Sequence, residues 1–111
     1  TQLDEAFELA SKALQHQETA PTANEAMGLI ALRVGAWPQA EMHLARAIAP
    51  HRPNPVVLEW LAMAQYNQGK YAQSRATYER ALEILPDNPN LRRKYEQARR
   101  AAAGDGERTR E

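Results

Sequence analysis

Apolar residues recur along the chain at the three- and four-residue spacing that is typical of amphipathic α-helices. In residues 2–16 the first such stripe consists of Leu3, Ala6, Phe7, Ala10, Ala13 and Leu14. Helix breakers separate this stripe from the later ones at residues 19–22, Gly35, 50–53, Gly69 and Pro86. No stretch shows the period-two alternation of a β-strand, so the pattern predicts an all-α chain of six helices.

The predicted helices recur with a period of 34 residues. A shift by this period aligns Gly35 with Gly69, Ala47 with Ala81, and residues 54–55 with 88–89. A repeat of this length is typical of a stacked array, in which each unit buries its apolar surface mainly against its neighbours. The sequence therefore favours a solenoid over a single closed core.

The second unit resembles the tetratricopeptide repeat, whose pattern runs W-x2-L-G-x2-Y…A-x3-F…P. The residues on that spacing are Leu58, Leu61, Ala62, Gln65, Ser74, Tyr78 and Pro86. Their counterparts in the first unit are Asn24, Met27, Gly28, Ala31, Ala40 and Leu44, with the closing proline displaced to Pro53. The chain departs from the pattern where Leu58 and Asn24 replace the first aromatic residue and where Gln65 and Ala31 replace the tyrosine. The resemblance covers residues 2–103.

This resemblance implies an α-solenoid, a superhelix of stacked antiparallel helix pairs with a C-terminal capping helix. Residues 1–103 are then an array fragment: 2–16 the second helix of a partial repeat, 21–54 and 55–88 two repeats, and 89–103 the capping helix. Gly104 and Gly106 are expected to end that helix, and residues 104–111 are predicted to form a disordered polar tail. Because the chain opens on Thr1 and on the second helix of a repeat, we expect it to be a piece of a longer array.

Charge is balanced over the whole chain but not along it. The 14 Lys and Arg residues cancel the 14 Asp and Glu residues, but residues 1–88 carry a net −3 and residues 89–111 a net +3. A short basic segment on an otherwise acidic domain argues against nucleic-acid binding. No apolar run approaches the roughly 18 residues of a membrane span, so direct membrane insertion is not expected either.

The sequence offers no set of residues for catalysis. It contains no cysteine, and its three histidines, His16, His43 and His51, lack metal-ligand spacing and are predicted to lie on the surface. A Ser-His-Asp arrangement and a Gly-rich phosphate loop are missing as well. We therefore expect no catalytic residues, no metal and no cofactor.

The family resemblance implies a partner-binding groove whose concave wall is formed by the first helix of each pair. The residues predicted to contact a partner are Arg33, Glu59, Trp60, Met63, Tyr66, Asn67, Arg93 and Arg100. Trp60, Met63 and Tyr66 form an aromatic–Met row suited to a peptide, although packing between helices is the alternative and is favoured for Met63. The last helix has a basic face formed by Arg93, Arg100 and, as a further candidate, Lys94. This face either clamps an acidic segment of the partner or solvates the end of the array, and the second role is favoured.

These features together predict a non-catalytic protein–protein interaction scaffold. Glu25 and Glu59 stand where an early lysine is expected, so the subclass that grips a chaperone's C-terminal carboxylate is not favoured. The Ala-, Arg- and Gln-rich composition favours a bacterial origin. Bacterial arrays that resemble this one often serve in envelope and export assemblies, so of the bacterial cytoplasm and periplasm the periplasm or envelope is favoured. The alternatives are a structural spacer and an accessory module of a larger enzyme or exopolysaccharide-export protein. Self-association through the open ends of the array is a further expectation.

Overall fold

The computed structural model describes residues 2, 4, 5, 8, 21–49 and 53–110. Ranges 21–49 and 53–110 contain five helices: α1 (Pro21–Arg33), α2 (Trp37–Ala47), α3 (Pro55–Asn67), α4 (Tyr71–Ile84) and α5 (Pro89–Arg110). No strand occurs in these two ranges, and the prediction of an all-α fold is confirmed. The helix predicted over residues 2–16 lies largely outside the described residues.

Glycines end the first helix of each pair, as predicted. Gly35 follows α1 with a φ of 77° and Gly69 follows α3 with a φ of 80°, in the left-handed region that a side chain would strain. After α1 the N–H of Ala36 donates to the carbonyl oxygen of Ala31 over 2.8 Å, and an equivalent bond follows α3. These are the hydrogen bonds of the Schellman motif, which reverses the chain and lets the next helix pack back on the first.

Asparagine caps start α3 and α5. The side-chain oxygen of Asn54 accepts a hydrogen bond from the N–H of Val56 over 2.9 Å, and that of Asn88 accepts one from Leu91 over 3.0 Å. The proline that follows each asparagine has no N–H to leave unsatisfied in the first helical turn. The recurring Asn-Pro pair therefore sets the start of both helices.

Each helix packs on the next one along the chain, and α1 also contacts α3. Helices α1, α2 and α3 enclose a first cluster of buried residues: Ala31, Leu32, Ala40, Leu44, Ala47, Val57, Leu61 and Ala64. Helices α3, α4 and α5 enclose a second cluster: Leu58, Ala62, Tyr78, Ala81, Leu91 and Ala98. Ile48 and Met63 pack against both clusters, so α3 and its neighbours join the two into one stack.

The structure differs from the prediction at the end of α5. The helix continues to Arg110, so the predicted end near Ala103 is wrong, and residues 104–110 are helical instead of a disordered tail. A glycine within a helix costs only about 1 kcal/mol relative to alanine. No proline follows Gly104 to interrupt the hydrogen-bond ladder, so the two glycines alone do not stop the helix.

His43 is buried, contrary to the prediction of a surface position. Only 6% of the residue is exposed, and its Nδ1 lies 3.2 Å from the side-chain oxygen of Asn24, which is fully buried. Burial and the nearby charge of Arg46 lower the pKa of His43, so the neutral imidazole is favoured. A polar pair thus occupies the place where the repeat pattern has an aromatic residue. His16 and His51 lie outside the described residues.

A second polar network fills the junction between the two helix pairs. Gln65, at the tyrosine position of the pattern, accepts a hydrogen bond from the hydroxyl of Thr77 over 2.7 Å. Glu41 of α2 accepts hydrogen bonds from Lys70 over 2.8 Å and from Gln68 over 2.9 Å. Burial alone would raise the pKa of Glu41, but the bonds from Lys70 and Gln68 outweigh it and the pKa is lowered. The ionised carboxylate therefore links α2 to the turn between α3 and α4.

Candidate functional site

The predicted aromatic–Met row on α3 is half-buried along its whole length. Trp60 packs against the first cluster, Tyr66 against the second, and Met63 against both. The three side chains therefore contribute to packing between helices, which is the alternative to partner binding that the sequence left open. Each also keeps an exposed portion, unlike Leu58 and Leu61 on the core stripe of the same helix.

Two contacts fix the end of this row. The rings of Tyr66 and Tyr71 meet edge to face, with centroids 5.0 Å apart and planes inclined at 63°. Such aromatic pairs hold a ring in one orientation as well as burying it. Asn67 is exposed, and its side-chain nitrogen donates to the carbonyl oxygen of Met63 over 2.8 Å. This bond ties the exposed Asn67 side chain back to its own helix.

An ion pair crosses from α3 to α5 beside the row. Lys94 Nζ donates to Glu59 Oε1 over 2.8 Å, and Asn90 Nδ2 lies 3.5 Å from the same oxygen. Lys94 Nζ also lies 3.6 Å from the sulfur of Met63. The structure thus brings together two of the predicted site residues, Glu59 and Met63, through a lysine of the next first helix.

The sequence placed Lys94 and Asn90 on the concave face of the last helix, but it did not predict their contact with Glu59. The signal that could have indicated this contact is the separation from Glu59, which is 35 residues for Lys94 and 31 for Asn90. Both separations lie close to the repeat period. Residues one period apart occupy matching places on adjacent first helices, so a carboxylate and a lysine at this separation can meet.

The three predicted arginines are exposed. Within the part of the chain that the structure describes, Arg33 of α1 and Arg93 of α5 form neither an ion pair nor a side-chain hydrogen bond. Arg100 is seven residues beyond Arg93 and therefore lies on nearly the same face of α5. Its side chain is 77% exposed, and its Nε is 3.6 Å from an oxygen of Glu96. This face of α5 thus carries cations with few partners among the described residues.

Three observations on the described residues concern small-molecule, metal and membrane binding. A recess of about 270 Å³, lined by residues 69–73 and Ala102, lies below the roughly 300–1,000 Å³ of small-molecule sites. Among the described ranges, no group of three or more His, Cys, Asp or Glu side chains could hold a metal ion. The helices described there include none with the length and apolar character needed to cross a membrane.

Comparison with known protein families finds a match for the second helix pair. Residues 55–88, which comprise α3, α4 and the segment after α4, match the family model described as tetratricopeptide repeat. The matched residues coincide with the second unit that the 34-residue period predicts. A search of curated proteins finds no match.

Proposed function

We propose, from the match of residues 55–88 to the tetratricopeptide repeat, that this chain is a non-catalytic scaffold binding a protein or peptide partner in a concave groove. Tetratricopeptide repeats in general mediate protein–protein interactions. The groove wall in this proposal consists of α1, α3 and α5, the first helix of each pair. Residues 21–54 act as a second repeat, and α5 caps the array.

Two features of the first helix pair support the proposal that residues 21–54 form a repeat. It has the same Schellman turn as the matched pair, at Gly35 instead of Gly69. It also has small buried residues where the matched pair has them: Ala40 corresponds to Ser74, and Ala47 to Ala81. Small residues at these places let paired helices approach to about 8–10 Å.

The observation that carries the proposal is the half-buried row of Trp60, Met63 and Tyr66 on α3. Large aromatic and methionine side chains with one face on the core and one face exposed are typical of binding hot spots, because the core holds them in place for the partner. Arg33 and Asn67 lie exposed on the same wall and add polar positions for orientation.

Replacement of the two tryptophans separates binding from packing. Trp60→Ala is expected to weaken binding of the natural partner, identified by pull-down, by at least ~2 kcal/mol, because a hot-spot ring is lost. Trp37→Ala is the matched control, since Trp37 is also half-buried and packs on the same first cluster. Titration calorimetry gives the affinities, and circular dichroism checks that both variants keep their helices. Equal losses of affinity in the two variants would assign the effect to the core and reject the groove.

The proposed setting is a bacterial envelope or export assembly, in line with the composition and the family resemblance. Pull-downs with the full chain as bait compare a solubilised bacterial envelope fraction with the cytoplasmic fraction. Partners retained from the envelope fraction, and lost with Trp60→Ala, are the expected result. Partners retained from the cytoplasmic fraction alone would reject this setting and leave the scaffold proposal in place.

A further inference from the structure

We infer that the groove side of α5 takes an acidic segment of the partner, and that Glu59 is an internal competitor which this segment displaces from Lys94. We call the surface formed by Arg93, Lys94 and Arg100 the basic edge. The inference rests on the proposed function, since it names the chemistry of the segment that enters the groove at its α5 end.

The first support is the distribution of charge. Residues 89–111 carry a net +3, whereas residues 1–88 carry a net −3. In the described part of the chain Arg93 has no anionic partner, and the exposed Arg100 has only Glu96 at 3.6 Å. Carboxylates of a partner complement such cations, steer its approach and form charge-assisted hydrogen bonds with guanidinium groups.

The second support is the geometry of the Glu59–Lys94 pair. Glu59 reaches from the neighbouring wall helix and places Oε1 at 2.8 Å from Lys94 Nζ, where a partner's carboxylate would also bind. The side chains remain 21% and 29% exposed, so the pair is open to exchange with a carboxylate from solution. The pair is partly buried and offers Lys94 a single carboxylate, whereas a partner segment can present several. A segment that contacts several cations at once can therefore replace Glu59.

The spacing of the basic edge indicates what kind of segment fits. Arg93 and Arg100 are seven residues apart, which is roughly 10 Å along a helix. Three residues of a polyproline II segment span roughly 9 Å, and side chains at every third position lie on one face of it. Acidic residues at every third position of such a segment thus match the two arginines, and the carboxylate that meets Arg93 can also reach Lys94, the next residue of α5.

The test uses a fluorescein-labelled nonapeptide of three Glu-Ser-Ser units and the full chain at low ionic strength. Glu59→Gln frees Lys94 and is expected to tighten binding of this peptide about threefold relative to the unchanged chain. Glu83→Gln is the matched control, because it removes the same charge from an exposed position of α4 that has no ion-pair partner in the described residues. It is expected to change affinity by much less. Adding Lys94→Gln to Glu59→Gln should abolish the gain.

Equal gains for Glu59→Gln and Glu83→Gln would overturn the inference, since net charge alone would then explain them. Absence of saturable binding by Glu59→Gln would overturn it too, provided that circular dichroism shows the helices intact. A labelled dodecathymidine that binds Glu59→Gln as tightly as the peptide would assign the edge to nucleic acid instead. The probe contains no apolar residue, so Trp60→Ala should leave its binding unchanged. Failure of the proposed function, which Trp60→Ala tests with the natural partner, is therefore distinguishable from failure of the inference about the basic edge.

Discussion

Gly28 and Gly104 are both helical glycines, but the space around them differs. A Cβ atom built on Gly28 of α1 would lie 2.5 Å from Cγ and Cδ2 of Leu44 and 3.2 Å from its backbone nitrogen. A Cβ on Gly104 of α5 meets nothing within 4 Å. The close crossing of α1 and α2 therefore requires the glycine at position 28, and no packing requires the one at position 104.

We expect Gly28→Ala to lower the free energy of unfolding by about 1–2 kcal/mol. Overpacking of a core contact costs about 1–3 kcal/mol, and the better helix propensity of alanine returns at most about 1 kcal/mol of that. Alanine at position 104 raises the helix propensity without a clash, so Gly104→Ala should leave the stability unchanged or raise it. Urea denaturation of the two variants measures the difference. A Gly28→Ala variant as stable as Gly104→Ala would mean that α1 can move away from Leu44 without loss.

The position of each residue within the repeat could be predicted from the sequence, whereas the hydrogen-bond partners of the buried polar residues could not. The period placed Asn24 and Gln65 at aromatic and tyrosine positions of the pattern, but no spacing rule indicates what a buried amide will bond. Asn24 meets His43 across 19 residues and Gln65 meets Thr77 across 12. Both contacts depend on how two antiparallel helices face each other, and the surface position predicted for His43 was wrong for this reason.

At the scale of elements, the sequence predicted helix starts and turns better than the last helix end. Asn-Pro pairs and glycines with a positive φ have a local hydrogen-bonding cause, and the structure confirms the turns predicted at Gly35 and Gly69. The end of α5 has no such local signal. The apolar stripe of α5 fades after Ala102, but helical hydrogen bonds continue to Arg110. Loss of amphipathicity ends packing, and it does not by itself end a helix.

Removal of α5 should expose the second cluster. Leu91 is 1% exposed and Ala98 0%. Deletion of residues 88–111 is expected to lower stability by at least about 2–5 kcal/mol, the usual cost of losing one buried leucine, and to promote association through the exposed apolar surface. Deletion of residues 104–111 alone removes none of the second-cluster residues and should change stability little. Denaturant midpoints and size-exclusion chromatography compare the two truncations. If the chain without residues 88–111 stays monomeric and keeps its denaturant midpoint, α5 does not contribute to the stability of the other helices.

In the part of the chain that the structure describes, the buried residues form a stack of two clusters and not one central core. Among the described helices, only α3 contributes buried apolar residues to both clusters, and cross-repeat ion pairs add further links. Glu41 reaches Lys70 from α2, and Glu59 reaches Lys94 from α3. The 34-residue period predicted this stacked architecture, because each unit offers one apolar face to the next. It could not predict the ion pairs, which depend on the superhelical offset between successive units.

In a stack of this kind, damage to one cluster should weaken mainly the helices that build it. Leu44 and Leu91 are a matched pair of buried leucines, 0% and 1% exposed, one in each cluster. Replacement of either by alanine is expected to cost about 2–5 kcal/mol. Leu44→Ala should speed native-state hydrogen exchange chiefly in α1 and α2, and Leu91→Ala chiefly in α4 and α5, with α3 affected by both because it serves both clusters. Exchange that rises equally in all helices for both variants would show that the stack unfolds as one unit, and that α3 transmits a loss in either cluster to the whole array.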